Sequence, residues 1–346
     1  MSITVRQWQP RSSPVGLPKP SDFEFVSRLL DTTLRPDEVL LKLLYISLAP
    51  GMRLRLGAPQ GLNDDDYMAR HGNVIPTWAI GRVIESRSER FPIGTYVSDL
   101  HGRAGVQDYC VLPASELAAI DPTTVPLTAY LGVLGTQGYT AHLGLLHVGR
   151  PVAGETVVVS AAAGSTGSAA GQIAKLKGCR AVGIAGGPEK CRYVVEEFGF
   201  NVCVDYKGGD LSAALAAACP NGIDVFFDNV AGQVLDTCLL HMARGGRIVF
   251  CGAIAEYNVA TPPTGLVNYL QILKRGLRWE AVYYHAHPDK YESVGADLQN
   301  WIRAGLLKYR EDIVVGLENF YPAFMKLFTG ENSGKVVLQV NAGETA

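Results

Sequence analysis

Short runs of β-branched residues alternate with longer runs of helical periodicity over the middle of the chain. The predicted strands are 157–160, 181–185, 202–205, 225–227, 247–251 and 278–284, and the predicted helices between them are 168–177, 188–197, 211–218 and 234–242. Strands and helices that alternate in this way form a parallel sheet, and ligands bind at the carboxyl ends of its strands. The pattern predicts a doubly wound α/β domain over residues 126–309.

The first 120 residues have a different pattern. Strand-like runs at 39–48, 74–85, 96–99 and 108–112 are separated by Gly and Pro, which predicts a β-rich domain of the partly open barrel type. A last strand-like run, 335–340, follows a helix-like segment at 321–327 and is long enough to return to the first domain. We therefore assign 1–125 and 310–346 to the β-rich domain, with the α/β domain inserted between them.

A turn of small residues joins the first strand and first helix of the α/β domain. Ala162 occupies the position of the usual first Gly of a dinucleotide-binding turn, and Gly164 and Gly167 occupy the other two. Backbone N–H groups at such a turn, together with the helix dipole, favour a negatively charged ligand. The turn predicts that Gly164, Ser165, Thr166 and Gly167 bind the diphosphate of a dinucleotide.

The end of the second strand indicates which dinucleotide binds. An acidic residue is expected there in proteins that bind an unphosphorylated ribose, but this chain has Gly186 and Gly187, with Lys190 and Arg192 just beyond. A missing acid and added cations favour a 2′-phosphate, so the predicted cofactor is NADPH, with Lys190 on the phosphate. Tyr206 is expected to cover the same end. A solvated lysine and a plain surface tyrosine are the alternatives.

Composition narrows the classes of partner. The chain has 31 basic and 33 acidic side chains and a net charge of −2, so neither nucleic acid nor an anionic membrane is expected as a partner. Its N-terminal segment has no apolar core of the kind found in a secretory signal. Seven scattered cysteines without a CxxC pair predict free thiols, a cytoplasmic location and no structural zinc site. The acidic run Asp64, Asp65 and Asp66 is interpreted as a solvated loop.

Several motifs in chain order resemble one family. They are Leu134-Gly135-Thr136, Thr140-Ala141, the turn Ala161 to Ser168 followed by Gly171 to Lys175, Gly199-Phe200, Asp228-Asn229-Val230, Cys251 to Ile254 with Tyr257-Asn258, and Asn332 with Gly334-Lys335. Together they resemble the zinc-independent medium-chain dehydrogenases/reductases. Within that family they are most similar to the group of the prostaglandin reductases (leukotriene B4 12-hydroxydehydrogenases) and the bacterial curcumin reductases.

The resemblance implies a Rossmann domain inserted into a β-rich GroES-like domain, and a homodimer. It also implies NADPH-dependent reduction of the double bond of α,β-unsaturated ketones and aldehydes, which are small-molecule enones. The cofactor contacts implied by matching positions are Gly164, Ser165, Thr166, Gly167, Lys190, Tyr206, Asn229, Cys251, Gly252, Ala253, Ile254, Val282, Tyr283, Tyr284 and Asn332. Zinc-dependent relatives carry Gly-His-Glu near 76–83; this chain has none there, so no metal is expected in the reaction.

Reduction of an enone puts negative charge on its carbonyl oxygen, which calls for a hydrogen-bond donor in a dry pocket. A tyrosine hydroxyl suits this role because it is neutral at pH 7, and Tyr257 is predicted to be that donor, with packing against the nicotinamide as the alternative. No residue stands out as the proton donor to the α-carbon.

The first domain departs from the family at one place. Relatives often have Asp-Pro-Tyr-Met-Arg where this chain has Ala49-Pro50-Gly51-Met52-Arg53. If the tyrosine walls the substrate cleft in relatives, Gly51 opens it to a bulkier enone. The predicted substrate pocket consists of Gly51, Met52, Arg53, Tyr257 and Tyr284.

Other activities fit the same scaffold. A quinone reductase and an allylic-alcohol dehydrogenase both place a hydride donor or acceptor over the nicotinamide. An NADPH-binding protein without catalysis is a further alternative, against which the retained Tyr257 argues.

Overall fold

The chain begins with a β-hairpin that the sequence analysis did not predict. In this computed structural model, which describes residues 1–57, 69, 72–260 and 265–343, β1 (Ser2–Pro10) pairs antiparallel with β2 (Phe23–Asp31). The hairpin is joined to the next sheet by a bridge between Gln7 and Gln107 and by Trp8, whose indole N–H donates to the carbonyl of Leu317 at 2.8 Å. Asp64, Asp65 and Asp66 lie outside the described residues.

The β-rich domain is built around one long strand. β3 (Glu38–Leu48) leads to a short helix, α1 (Met52–Arg55), and then to β4 (Ala79–Ser86), β5 (Tyr96–Asp99), β6 (Tyr109–Pro113) and β7 (Leu117–Ala119). β3 pairs antiparallel with both β4 and β6, and β5 pairs with β4 and β7. Apolar side chains of these strands form a closed core that includes Leu41, Leu43 and Ile46. The predicted strand-rich domain is confirmed.

The α/β domain follows the predicted alternation closely. Its elements are α2 (Thr136–Leu143), β8 (Thr156–Ser160), α3 (Ser165–Leu176), β9 (Arg180–Ala185), α4 (Pro188–Glu196), β10 (Val202–Asp205), α5 (Leu211–Ala218), β11 (Ile223–Asp228), α6 (Gly232–His241), β12 (Met242–Phe250), α7 (Leu270–Arg275) and β13 (Arg278–Ala281). The six strands are parallel in the order β10-β9-β8-β11-β12-β13. The doubly wound sheet is therefore confirmed. Met242 belongs to the strand rather than to the helix before it, and the sixth strand ends at Ala281 instead of 284.

The end of the chain returns to the β-rich sheet. α8 (Tyr291–Arg303) is followed by β14 (Glu311–Val315), α9 (Phe320–Thr329) and β15 (Lys335–Gln339). β15 pairs antiparallel with β3, with Val337 opposite Ser47, and parallel with β14. One face of this sheet packs Tyr45, Ile80 and Val337 against Leu127 and Leu131 of the segment that leads into the α/β domain. The two domains thus meet beside the carboxyl end of β8.

Candidate active site

The turn after β8 presents backbone donors at the edge of the parallel sheet. Ala161 has φ +49°, and the first helical bond of α3 runs from the N–H of Ser168 to the carbonyl of Gly164 at 2.9 Å. No side chain caps this end of α3. The N–H groups of Ser165, Thr166 and Gly167 therefore point out of the helix, where the dipole favours an anion.

Gly167 is required for the shape of this turn. A Cβ atom added to Gly167 would lie 2.3 Å from the carbonyl oxygen of Ala161, a contact that backbone atoms cannot relieve cheaply. Gly164 is less constrained, since its added Cβ would lie 3.2 Å from the same oxygen. The predicted diphosphate turn has the geometry that its glycine spacing implies.

A second loop, Gly186-Gly187, follows β9. Gly187 has φ +94°, and its N–H donates to the Asp205 carboxylate at 2.8 Å, which also accepts the N–H of Lys207 at 2.9 Å. An added Cβ on Gly186 would meet the Tyr206 ring at 2.8 Å and Lys207 Cε at 3.1 Å. Gly186 therefore lets Tyr206 and Lys207 lie against the loop where an adenosine ribose would be expected, and Gly187 supplies the positive φ of the turn.

Lys190 lies at the same loop and is bonded to a residue of the β-rich domain. Its Nζ donates to Asn332 Oδ1 at 3.4 Å, and Asn332 Nδ2 donates to the carbonyl of Gly334 at 3.0 Å. Burial lowers the pKa of Lys190, and the neighbouring Lys207 lowers it further. An anion between the two lysines would relieve that repulsion. The structure brings together Lys190, Tyr206 and Asn332, as the resemblance implies.

Asn229, at the end of β11, fixes the neighbouring strand end. Its backbone N–H donates to Ser160 Oγ at 2.8 Å and its side-chain amide to the Ser160 carbonyl at 2.7 Å. Ser160 Oγ in turn donates to Asp228 at 3.0 Å, and burial raises the pKa of this carboxyl. Asn229 thus holds the carboxyl ends of β8 and β11 together beside the diphosphate turn.

The loop after β12 carries Tyr257. Cys251 and Gly252 donate their N–H groups to the carbonyl of Asp228, and Ile254 donates to that of Asn229. The Tyr257 hydroxyl oxygen accepts the N–H of Ala253 at 3.1 Å, and burial raises the pKa of this phenol. Tyr257 is therefore neutral at pH 7. Because the hydroxyl oxygen serves as an acceptor, its own proton stays available to a partner other than Ala253.

Arg53 connects the Tyr257 loop to the β-rich domain. The guanidinium is fully buried and donates to Asn258 Oδ1 at 3.0 Å, to the Gly57 carbonyl at 2.8 Å and to the Pro14 carbonyl at 2.7 Å. Met52 is buried in the core of the β-rich domain, whereas Gly51 is exposed, and no described residue has an atom within 4 Å of a Cβ added to it. Of these three predicted pocket residues, Gly51 alone is exposed.

A cavity of about 320 Å³ lies between the two domains. Residues from both domains line it: Ser47, Trp78, Ser98, Asp99, Leu100 and Ala118 from the β-rich domain, and Tyr130, Leu131, Leu134, Gly135, Thr136, Tyr139, Tyr284, Tyr291 and Glu292 from the other. The ring of Tyr291 lies 5.5 Å from that of Tyr139 and 6.0 Å from that of Tyr284, which gives an aromatic wall. Of the predicted pocket residues, Tyr284 lines this cavity.

The predicted contacts at 282–284 are spread over different surroundings. Val282 donates its N–H to the carbonyl of Phe250 at 3.0 Å, which places it beside the start of the Tyr257 loop. Tyr284 lies in the cavity wall, and Tyr283 between them is exposed. Of these three residues, Tyr284 borders the cavity, whereas Val282 packs on the core of the α/β domain.

Sequence reasoning missed Asp205 and Lys207. Both stand at the carboxyl end of the third parallel strand, next to Tyr206, and that position was the available signal. It also missed the partnership of Arg53 with Asn258, which joins residues 205 positions apart and has no local signal. Among the described residues, no group of three or more His, Cys, Asp or Glu side chains is arranged to hold a metal ion.

Comparisons with known proteins agree with this geometry. A family model described as "Zinc-binding dehydrogenase" matches residues 165–297, and one described as "N-terminal domain of oxidoreductase" matches residues 6–120. The chain is 36% identical to the NADPH-dependent curcumin reductase of Escherichia coli, over 97% of this chain and 96% of that protein. It is 38% identical to the NADP(+)-dependent 2-alkenal reductase of Nicotiana tabacum, over 94% of both. It is 37% identical to prostaglandin reductase 1 of Rattus norvegicus, over 97% and 99%.

A solved structure is equally similar. The crystal structure of CurA from Vibrio vulnificus in complex with NADPH superposes with a TM-score of 0.90 at 36% identity, covering 97% of this chain and 99% of that one. Full-length matches at this identity confirm the predicted family. The chain belongs to the zinc-independent medium-chain dehydrogenases/reductases, in the group that includes the curcumin, prostaglandin and 2-alkenal reductases.

Proposed function

We propose that this protein reduces the conjugated carbon–carbon double bond of α,β-unsaturated ketones and aldehydes with NADPH. The observation that carries the proposal is the Tyr257 hydroxyl, held as an acceptor by the N–H of Ala253 at 3.1 Å beside the dinucleotide site. Relatives of similar length are named as NADPH-dependent curcumin reductase and NADP(+)-dependent 2-alkenal reductase, and an alkenal is an α,β-unsaturated aldehyde.

The chain offers a complete set of groups for the cofactor. The N–H groups of Ser165, Thr166 and Gly167 suit its diphosphate, and Lys190 suits its 2′-phosphate, with Lys207 beside it. The further contacts that we propose are Gly164, Tyr206, Asn229, Cys251, Gly252, Ala253, Ile254, Val282, Tyr283, Tyr284 and Asn332. The bound cofactor supplies a hydride to the β-carbon.

Tyr257 would stabilise the charge that develops on the carbonyl oxygen. The hydroxyl would donate a hydrogen bond to that oxygen, while the bond from the N–H of Ala253 keeps the phenol oriented. The raised pKa of Tyr257 keeps the phenol protonated through the neutral range. Arg53 is a positioning residue in this scheme, because its bond to Asn258 anchors the residue next to Tyr257.

A panel of acceptors tests this function. NADPH oxidation would be followed with an alkenal, an aryl enone and a quinone, and NADP⁺ reduction with an allylic alcohol, for the wild type and for Tyr257→Phe. We expect enones to be the best substrates and Tyr257→Phe to lower kcat by about 10²–10³-fold with the Kd for NADPH little changed. Preference for the quinone would favour the quinone reductase alternative, whereas binding of NADPH without turnover would favour a non-catalytic protein.

Gly51 bears on substrate size. It is exposed, and no atom of the described residues lies within 4 Å of an added Cβ. We propose that Gly51 widens the entrance for aryl enones, and that Gly51→Tyr raises KM for an aryl enone while leaving KM for a short alkenal unchanged. If Gly51→Tyr has the same KM as the wild type for the aryl enone as well as for the alkenal, Gly51 does not determine substrate size.

We also propose a homodimer formed through β13. This strand is an edge of the parallel sheet, and all four of its residues are exposed. Exposed apolar side chains concentrate around it: Val267, Tyr269, Leu270, Leu273, Trp279 and Tyr283. An exposed edge strand with an apolar border is suited to pairing with a second copy of itself.

A cytoplasmic location and the domain limits 1–125 with 310–346 and 126–309 remain part of the proposal. All seven cysteines are free thiols, which suits a reducing compartment. Among the described residues, no helix has the length and apolar composition needed to cross a membrane. Fractionation of cells and limited proteolysis near residues 125 and 310 would test the two points.

A further inference from the structure

Lys335 is a buried cation that the scheme above does not use. It is the first residue of β15 and is 4% exposed. Its Nζ donates to Ser47 Oγ at 2.6 Å and to the carbonyl of Leu48 at 2.8 Å. An ammonium has three N–H donors, so one donor remains after these two bonds.

The side chain of Lys335 runs beside the diphosphate turn. A Cβ added to Gly132 would lie 3.3 Å from Lys335 Cγ and 3.5 Å from Ser165 Oγ. A side chain at position 132 would therefore contact both Lys335 and Ser165, the first residue of α3. Rotation about the Cγ–Cδ and Cδ–Cε bonds moves Nζ, so a turn of the ammonium toward the N-terminus of α3 requires side-chain rotation and release of the bonds to Ser47 and Leu48.

We propose that Lys335 is the buried cation that meets the diphosphate of the dinucleotide, and that binding of the dinucleotide is coupled to uptake of a proton by this lysine. The inference rests on the proposed function, since it needs a nicotinamide dinucleotide as ligand. It assigns Lys335 to the part that NADPH and NADH share, whereas Lys190 faces the 2′-phosphate that only NADPH has.

The surroundings of Lys335 explain the proton. Burial lowers its pKa to about 7, against the opposing effect of Glu311 on the adjacent strand. Glu311 has a raised pKa from burial and accepts the Thr128 hydroxyl at 2.8 Å, while Tyr45 on β3 has a pKa raised by burial and by Glu311. Ser47 and the Leu48 carbonyl are uncharged. Without a ligand, Lys335 is therefore largely neutral at pH 8.

The sign of the linkage follows from the charge of the ligand. A diphosphate stabilises the ammonium, so it raises the pKa of Lys335 and the complex holds more protons than the free protein. Affinity for the dinucleotide is then greatest below pH 7 and falls as pH rises from about 7 toward the pKa in the complex. NADH is the cleaner probe, because the 2′-phosphate of NADPH has its own ionisation near pH 6.

Isothermal titration calorimetry measures this uptake directly. NADH and NADPH would be titrated into the wild type at pH 8 in phosphate and in Tris, whose ionisation enthalpies differ. The expected result is uptake of about one proton for each cofactor bound, falling away below pH 7. Lys335→Met should lose the uptake and weaken NADH and NADPH alike, by about tenfold.

Two further variants separate charge from structure. Lys335→Arg keeps a cation at every pH, so it should retain affinity while losing the proton uptake. Lys190→Ala should keep the uptake and weaken NADPH alone. Thermal unfolding of both variants is compared with that of the wild type. If a variant does not fold, the pH dependence of proton uptake by the wild type still tests the proposal.

The outcomes discriminate between the two proposals. Binding of NADH at pH 8 without proton uptake, or uptake that persists in folded Lys335→Met, would show the assignment of Lys335 to be wrong while the proposed enone reduction stands. Failure of the wild type to bind either cofactor would show both to be wrong.

Discussion

Lys190 and Lys207 approach the same pair of glycines from different elements. Lys190 lies on α4, which begins directly after Gly187, and Lys207 follows β10 with its Cε beside Gly186. The repulsion between them lowers the pKa of Lys190, so the site carries an unfavourable energy that a dianion would remove. Asp205 Oδ1 accepts the N–H groups of both Gly187 and Lys207, which ties this carboxylate to the loop.

Cofactor preference should therefore depend on both lysines. We expect Lys190→Ala and Lys207→Ala each to weaken NADPH by about tenfold to a hundredfold, as for the loss of one charge-assisted contact, with NADH changed less than about twofold. Quenching of cofactor fluorescence gives both dissociation constants. Lys177→Ala, at the exposed C-terminal end of α3, is the matched control and should leave both unchanged. Equal losses for NADPH and NADH would contradict the 2′-phosphate assignment.

At the scale of single residues, the features that could be predicted are those with a local signal in the sequence. The diphosphate turn, Lys190 and Tyr206 could be predicted because each follows a strand end at a known spacing. The bonds of Arg53 to Asn258 and of Lys335 to Ser47 could not be predicted, since the two partners are 205 and 288 positions apart in sequence. Met52 was assigned to the pocket because nothing in the sequence indicates that its side chain faces the core.

At the scale of elements, period and burial decided what could be predicted. β8 could be predicted because Val157, Val158 and Val159 form a continuous β-branched run, and all three are buried in the structure. The hairpin β1–β2 escaped prediction because most of its residues are exposed or half-buried and charged residues interrupt the apolar ones. On α3, Gly171 lies against the ring of Phe200, which precedes β10.

Gly171 gives an element-scale prediction whose sign opposes helix propensity. In a free helix, Gly→Ala gains about 1 kcal/mol. Here an added Cβ would lie 1.8 Å from the Phe200 ring, so we expect Gly171→Ala to lower the free energy of unfolding by about 1–3 kcal/mol. Urea unfolding measures it. The penalty should shrink in the Phe200→Leu background, and an unchanged penalty there would exclude the ring as its cause.

At the scale of the whole molecule, the chain crosses between domains several times and each crossing bears on the site. Asn332 comes from the β-rich side and holds Lys190, Arg53 holds Asn258, and Lys335 approaches Ser165 past Gly132. The proposed cofactor site is thus shared between the domains rather than contained in the parallel sheet. A hinge movement between the domains would change the contacts at both ends of the dinucleotide together.

The edge strand β13 gives the prediction for assembly. Pairing of two β13 strands would extend the parallel sheet across a twofold axis and cover the exposed apolar side chains around α7, so we expect twice the chain mass of 37.2 kDa in light scattering. Leu273 is 83% exposed, and Leu273→Glu should shift the protein toward a monomer because a charge is costly in a dry interface. Leu29, 79% exposed on the distant hairpin, supplies the control: Leu29→Glu should remain dimeric. A wild-type monomer at micromolar concentration, or equal dissociation in both variants, would exclude this interface.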